Sequence, residues 1–550
     1  MSRIVILYRA ALAAVASAGA VAGQAQDVST QPERLSADVR TLASPAFEGR
    51  APGTPGEEKT VAWLIAQFKA AGLEPGGADG SWTQPVPLIR TKVGQGEVVA
   101  NDTALAPGRD VYLSTVQPQS RLLVTKAPLV FVGYGVSAPE RHWDDFKGVD
   151  LRGKVAVFLI NDPDFEAGPG DDAAGRFGGR RMTYYGRWTY KFEEAARRGA
   201  IGALIIHDTP GAGYGWATVT APGGENYDVA DPSMPRVAVQ GWIEGSAANR
   251  LFAKAGLDLA TLRAAARRAD FRPVPLKGTG LSVDLPVAVT RAQSRNVIAK
   301  RTGRSRPEET IIYGAHWDAY GQGVPDAEGR TVRPGANDDA LGVAGVLAIA
   351  RAAAKVPPMA RTQVFALWTG EERGLLGSET YAAHPIYPLA KTVANLTLDI
   401  LQTAGPSHDV LLVGNGQNSL EDQLAAAAKT QGRIVTPEAL PERGLFYRAD
   451  HFSLARRGVP TLLLMAISGA PDLVDGGRVA GQRWLDAYMR CYHQTCDAWS
   501  PTWNLAGAAA DVDLIRRVGF DLAAGHDWPM WHSQSEFAAI RAKSDADRTK

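Results

Sequence analysis

Val364-Phe365-Ala366-Leu367-Trp368-Thr369-Gly370-Glu371-Glu372 is an apolar run that stops at a glycine and two adjacent carboxylates. A short, continuous, β-branched and aromatic segment of this kind reads as a strand buried on both faces. Similar runs recur on either side: Asn296 to Ala299, Ile311-Ile312 before His316, Leu396 to Leu398 before Asp399, and Leu462 to Met465. Helical patterns at Leu341 to Ala354, Leu375 to Ala383 and Leu420 to Lys429 separate them. Buried strands alternating with helices predict an α/β fold, a mixed and mostly parallel sheet flanked by helices. In such sheets the polar residues at the strand ends build the site.

Those ends carry His316-Trp317-Asp318, Asn337-Asp338-Asp339, Glu371-Glu372, Asp399 and, further on, Tyr492-His493. Histidine nitrogen and carboxylate oxygen are what zinc takes, with room left for water in a catalytic shell. Asp318 stands two residues after His316, where it can hold the imidazole through its second nitrogen or position a metal-bridging group. Asp338 follows a loop rich in glycine, and one carboxylate with two oxygens can bridge two ions. Neighbouring glutamates at a strand end diverge, so one can bind metal while the other handles a proton. Each fragment is commonplace alone. Their occurrence in order, each after a buried strand or a glycine-rich turn, points to a two-metal hydrolase.

The chain has 550 residues, 45% of them hydrophobic, enough for a large core and more than one domain. Its 59 basic and 58 acidic residues give a net charge of +1, so nothing electrostatic favours nucleic acid or an anionic membrane as partner. Residues 1–25 read as a signal peptide: Arg3 and Arg9, an apolar stretch from Ala11 to Val21, then small residues. That stretch is shorter than the about 20 residues of a spanning helix, so periplasmic or secreted localisation without stable membrane insertion is expected. Cys491 and Cys496 are the only cysteines; in an oxidising compartment they can close a small loop, and otherwise they are free thiols.

Two helices are expected between Pro32 and Leu73. Residues 26–125 read as the N-terminal part of the main domain with a connector, 126–284 as an inserted smaller α/β domain, and 285–550 as the catalytic domain. The tail from His532 is polar and is expected to be loosely held.

The segment Asn296 to Trp499 resembles the co-catalytic zinc aminopeptidases of peptidase family twenty-eight, relatives of bacterial leucyl aminopeptidases and of glutamate carboxypeptidase. Gly133-Tyr134-Gly135, Asp150 to Val155 and the segment from Gly199 make 126–284 resemble a protease-associated domain. The resemblance implies a zinc exopeptidase-like fold with two zinc ions per chain. It places His316 and Asp399 on one ion, Glu372 and His493 on the other, and Asp338 between them, with a cis peptide at Asp338-Asp339. Glu371 becomes the general base, Asp318 the support of His316, and Tyr492 an oxyanion donor. Arg448, Asp450, His451 and Phe452 match a segment that lines the substrate site, with Ala449 departing from the more usual serine. Cys491 and Cys496 match a loop-stapling disulfide.

The resemblance implies peptide substrates and most simply an aminopeptidase. Carboxypeptidase, dipeptidase or glutaminyl cyclase activity on the same site is an alternative, and a metal-free receptor-like homologue is another. No Gly-x-Ser-x-Gly elbow supports a serine hydrolase. Side-chain preference, oligomeric state and the inserted domain's role are not legible.

Overall fold

The computed structural model describes residues 28–548. The expected signal peptide lies outside the described residues. No helix among them is long and apolar enough to cross a membrane.

The central sheet is built on four strands that run parallel: Arg361–Trp368, Arg306–His316, Thr392–Leu398 and Thr461–Leu464, in that spatial order. All eight residues of Arg361–Trp368 are buried, which accounts for the continuous apolar run from Val364 to Trp368. Antiparallel strands flank the parallel centre, with Asp409–Val413 beyond Thr461–Leu464 and the end of Val274–Arg301 beyond Arg361–Trp368. The sheet is therefore mixed and mostly parallel at its centre, as expected.

Helices Pro32–Leu42, Leu341–Lys355, Leu420–Thr430 and Ala506–Ala524 cover one face and share its core with Val393, Leu396 and Phe365. Leu341–Lys355 is apolar almost all round because it is enclosed by the sheet and by neighbouring helices. The opposite face is covered by Leu376–Ala383, His451–Ala455 and the packing around Trp368, Tyr381 and Leu454. The helix Gly477–Cys491 joins a separate core around Phe446, Phe452 and Met465.

A second sheet carries the inserted unit. Its strands Arg121–Phe131, Val155–Leu159, Gly202–Ile206 and Val239–Ile243 run parallel to one another, while Val111–Ser114 pairs antiparallel with the last and Val274–Arg301 antiparallel with the first. The core of this unit begins at Val93 and ends at Val287. The strands of this sheet extend on both sides of residues 126–284. Residue 126 falls inside Arg121–Phe131, and the strands Glu97–Ala100 and Val111–Ser114 belong to this sheet.

Residue 284 falls inside a 28-residue strand, Val274–Arg301, which pairs with Arg121–Phe131 in the insert and then with Thr83–Val93 and Arg361–Trp368 in the main sheet. One continuous strand shared by both sheets makes a stiff connection, where a boundary reading expects a linker.

The stretch from His532 is anchored, against expectation. Phe537 and Arg541 are buried, and the Arg541 guanidinium donates to the carbonyls of Leu389 at 3.2 Å and Thr392 at 2.9 Å. A local excess of polar residues concealed these few contacts.

Candidate metal centre

The site forms where the parallel strands end. His316 is the last residue of its strand and is in register with Trp368, so Thr369-Gly370 delivers Glu371 and Glu372 to the same edge. Asp399 directly follows Leu398. The chain returns with Ala336–Ala340, whose Asp338-Asp339 peptide is cis, and again with the loop after Gly477–Cys491, which brings His493.

Asp338 stands between the two histidines. Its Oδ1 lies 3.1 Å from His316 Nε2 and its Oδ2 3.1 Å from His493 Nε2. Each histidine has a further carboxylate at hand: Glu372 Oε2 is 3.2 Å from His493 Nε2, and Asp399 Oδ1 is 4.0 Å from His316 Nε2. Two groups of side chains able to hold a metal result, one around His316 and Asp399 and one around Asp338, Glu372 and His493. The five residues expected as ligands converge.

Asp339 also comes close to the first group, which the sequence reading missed. Its oxygens accept from the backbone N–H of His316 at 3.2 Å and of Gly342 at 2.9 Å. A Cβ at Gly342 would sit 2.2 Å from Asp339 Oδ1, so only glycine lets the carboxylate lie over the start of this helix. Asp339 thereby ties the His316 strand to the helix that follows Asp338.

The donor set fits divalent cations. Asp318, Asp338, Asp339, Glu372, Asp399 and Asp450 bury their carboxyl groups around His316, and Asp318 Oδ2 and Asp399 Oδ1 have no hydrogen-bond partner. Burial pushes the Asp399 and Asp450 carboxyls up to about 7, with His316 opposing the rise in each case. Burial also raises Glu371 and Glu372, and neighbouring carboxylates add to the effect. Asp338 alone is held below the usual range: burial would raise it, but its bonds to His316 and His493 prevail. So much buried negative charge is costly unless cations neutralise it.

Asp318 meets His316 differently from the expectation. Its backbone carbonyl is 3.0 Å from Nδ1 and its carboxylate 3.6 Å. The carboxylate instead accepts from the N–H of Glu371 at 3.1 Å, so Asp318 orients both the imidazole and the glutamate turn. Glu371 Oε2 lies 3.8 Å from His316 Nε2, within reach of the same centre.

Tyr492 packs its ring 3.6 Å from that of His493, and both line a cavity of about 490 Å³ together with Glu371, Glu372, Arg448 and Phe452. Asp450 and His451 are buried behind this wall. Burial pushes the His451 imidazole down to about 3, against a small opposing contribution from the Phe446 backbone.

Cys491 and Cys496 are joined in a disulfide. The bridge closes the loop that presents His493, a non-glycine residue at φ 63°. Removing it with Cys491→Ser and Cys496→Ser is expected to release about 2 kcal/mol of loop restraint and to lower kcat/KM about tenfold through a wandering His493. Steady-state kinetics with thermal melts would check this, and an unchanged kcat/KM would count against the stapling role.

Two supports went unnoticed in the sequence. Arg50 is fully buried and donates to the carbonyls of Leu42, Trp317, Pro334 and Gly335 at 2.6 to 3.0 Å. It clamps the loop after His316 to the loop before Asp338. Asp497 accepts from the N–H groups of Asn337 at 3.0 Å and Asp338 at 3.1 Å. An arginine flanked by Gly49, Pro52 and Gly53 carries no metal-binding signature, since its role is to satisfy carbonyls. Arg50→Met would leave these acceptors buried and unpaired, and is expected to cost about 4 kcal/mol in denaturant unfolding.

The family model described as peptidase family M28 matches residues 296–514. A probable lipoprotein aminopeptidase, LpqL, of Mycobacterium tuberculosis is 26% identical over 232 residues, 39% of this chain and 43% of that protein. A probable zinc metalloprotease of Pyrenophora tritici-repentis is 31% identical over 157 residues, 28% of this chain and 29% of that protein. The matched part thus spans less than half the length of either relative. Among solved structures, an aminopeptidase from Aneurinibacillus sp. strain AM-1 has 21% identity and a TM-score of 0.49, covering 91% of this chain and 95% of that one. The part of the chain similar to peptidase family M28, residues 296–514, contains all five of the clustered residues His316, Asp338, Glu372, Asp399 and His493.

Proposed function

We propose that this protein is an exported two-zinc exopeptidase that removes residues from the N-terminus of peptides. The observation that carries the reading is Asp338, with one oxygen 3.1 Å from each of two histidines that have further carboxylates beside them. His316 and Asp399 would hold one ion, Glu372 and His493 the other, and Asp338 both. When bound, the ions supply Lewis-acid polarisation of a carbonyl and acidify water.

The chain's own residues do the rest. Glu371 takes a proton from the attacking water and delivers it to the departing amine. Tyr492, in the same cavity wall, donates its hydroxyl to the oxyanion of the tetrahedral intermediate. Asp318 keeps His316 and the Glu371 turn aligned. Surplus carboxylates beside the centre suit a substrate's free α-ammonium group.

Export is supported by the basic-then-apolar N-terminus and by the Cys491–Cys496 bridge, which persists in oxidising compartments. Metal analysis and peptide digestion test the reading together. About two zinc ions per chain and release of the N-terminal residue are expected; less than one ion, or release from the C-terminus, would overturn it.

A further inference from the structure

The cavity beside the metal centre is walled by both units, and three of its five arginines already have partners. Arg236 pairs with Asp228 at 2.6 Å, and Arg456 with Glu193 at 3.0 Å. Arg373 lies over the rings of Tyr227 and Tyr320 at 5.0 and 4.8 Å. Arg187 and Arg448 differ. Among the described residues neither guanidinium has an ion pair or a hydrogen bond, although both line this cavity.

Arg187 belongs to the inserted unit, just before the helix Trp188–Arg197, and is 9% exposed with its Nε unpartnered. Burial, and the nearby charge of Arg448, push it down to about 10. Arg448 lines the same cavity as Arg187, Glu371, Glu372 and Tyr492. A buried guanidinium without hydrogen bonds is unfavourable, and a second cation nearby adds repulsion. A guanidinium is shaped for two-point binding of a carboxylate, which would relieve both the missing hydrogen bonds and the repulsion.

We infer that Arg187 and Arg448 form a clamp for a carboxylate of the substrate, so that the protein prefers short peptides bearing a negative charge close to the scissile bond. This deepens the exopeptidase reading and rests on it. The inserted unit then contributes a substrate contact, Arg187, to a site whose remaining parts come from the catalytic unit. The carboxylate is either the peptide's own C-terminus or an acidic side chain.

Calorimetric titration of the zinc-loaded protein carrying Glu371→Gln reads binding without turnover. Leu-Gly, Leu-Gly-amide and Leu-Asp-amide separate the two sources. Binding of Leu-Gly at least tenfold tighter than Leu-Gly-amide is the expected result for a C-terminal carboxylate, and an equal advantage for Leu-Asp-amide is expected for a side chain. Adding Arg187→Gln should reduce the preference to within twofold, and Arg187→Lys should restore part of it; thermal melts confirm that each variant is folded. Affinities within twofold across all three peptides, or a preference untouched by Arg187→Gln, would overturn the clamp. Hydrolysis is followed separately on the protein with Glu371 intact. No leucine released from any of the three would sink the peptidase reading, while the calorimetric ratios still decide the clamp.

Discussion

Glu371→Gln is expected to lower kcat by about 10³-fold while leaving zinc content and KM close to those of the parent. The glutamate is positioned for proton work. Its carboxylate reaches to 3.8 Å of His316 Nε2, its backbone N–H is held by Asp318, and its side chain opens onto the cavity. Burial and nearby carboxylates raise its proton affinity, which suits a group that must accept a proton and then give it up. Glutamine keeps the shape and loses the basic oxygen. Neighbouring Glu372 supplies the contrast: it sits 3.2 Å from His493, so Glu372→Gln should lose metal as well as rate. Metal analysis beside single-turnover kinetics distinguishes the pair. A loss below tenfold for Glu371→Gln would move the base elsewhere, and Asp450, whose Oδ1 has no partner, is the next candidate.

The contrast between neighbours shows why this site could be read from the sequence. His316 ends a buried strand, Asp399 directly follows one, and Glu371 and Glu372 stand one short turn beyond Trp368, and a buried strand is among the clearest signals a sequence carries. Asp338 and His493 arrive on loops: Asp338 is placed by Asp497, which accepts from its N–H, and by Arg50, which donates to the carbonyls of Pro334 and Gly335, while the Cys491–Cys496 bridge closes the loop of His493. The glycine-rich loop before Asp338 signalled its return to the site, while the pairing of each loop residue with a particular ion came only from the family resemblance. Long-range supports of this kind leave no periodicity, since Arg50 and Gly335 are separated by 285 positions. The boundary of the inserted unit was obscured for the opposite reason. Val274–Arg301 is one regular element, so its change of partner from one sheet to the other has no composition shift to mark it.

Asp338→Asn should have the largest effect of all, with kcat/KM reduced by about 10⁴-fold or more, because it removes the carboxylate that reaches both histidines and is proposed to hold both ions. An amide presents one acceptor oxygen and one N–H₂ donor, so it can face His316 or His493 as an acceptor but not both. The parent has an acceptor 3.1 Å from each. Zinc binding should weaken on the side that meets the amide nitrogen, and that weakening has a stability signature independent of catalysis. Ions at about 1,000 times their Kd stabilise a folded chain by about 4 kcal/mol, and a hundredfold weaker site at the same concentration by about 1.4 kcal/mol. The zinc-induced rise in Tm should therefore shrink in the variant, alongside a fall in bound zinc from two ions toward one. Retention of both ions with a rate within tenfold of the parent would show that Asp338 does not bridge.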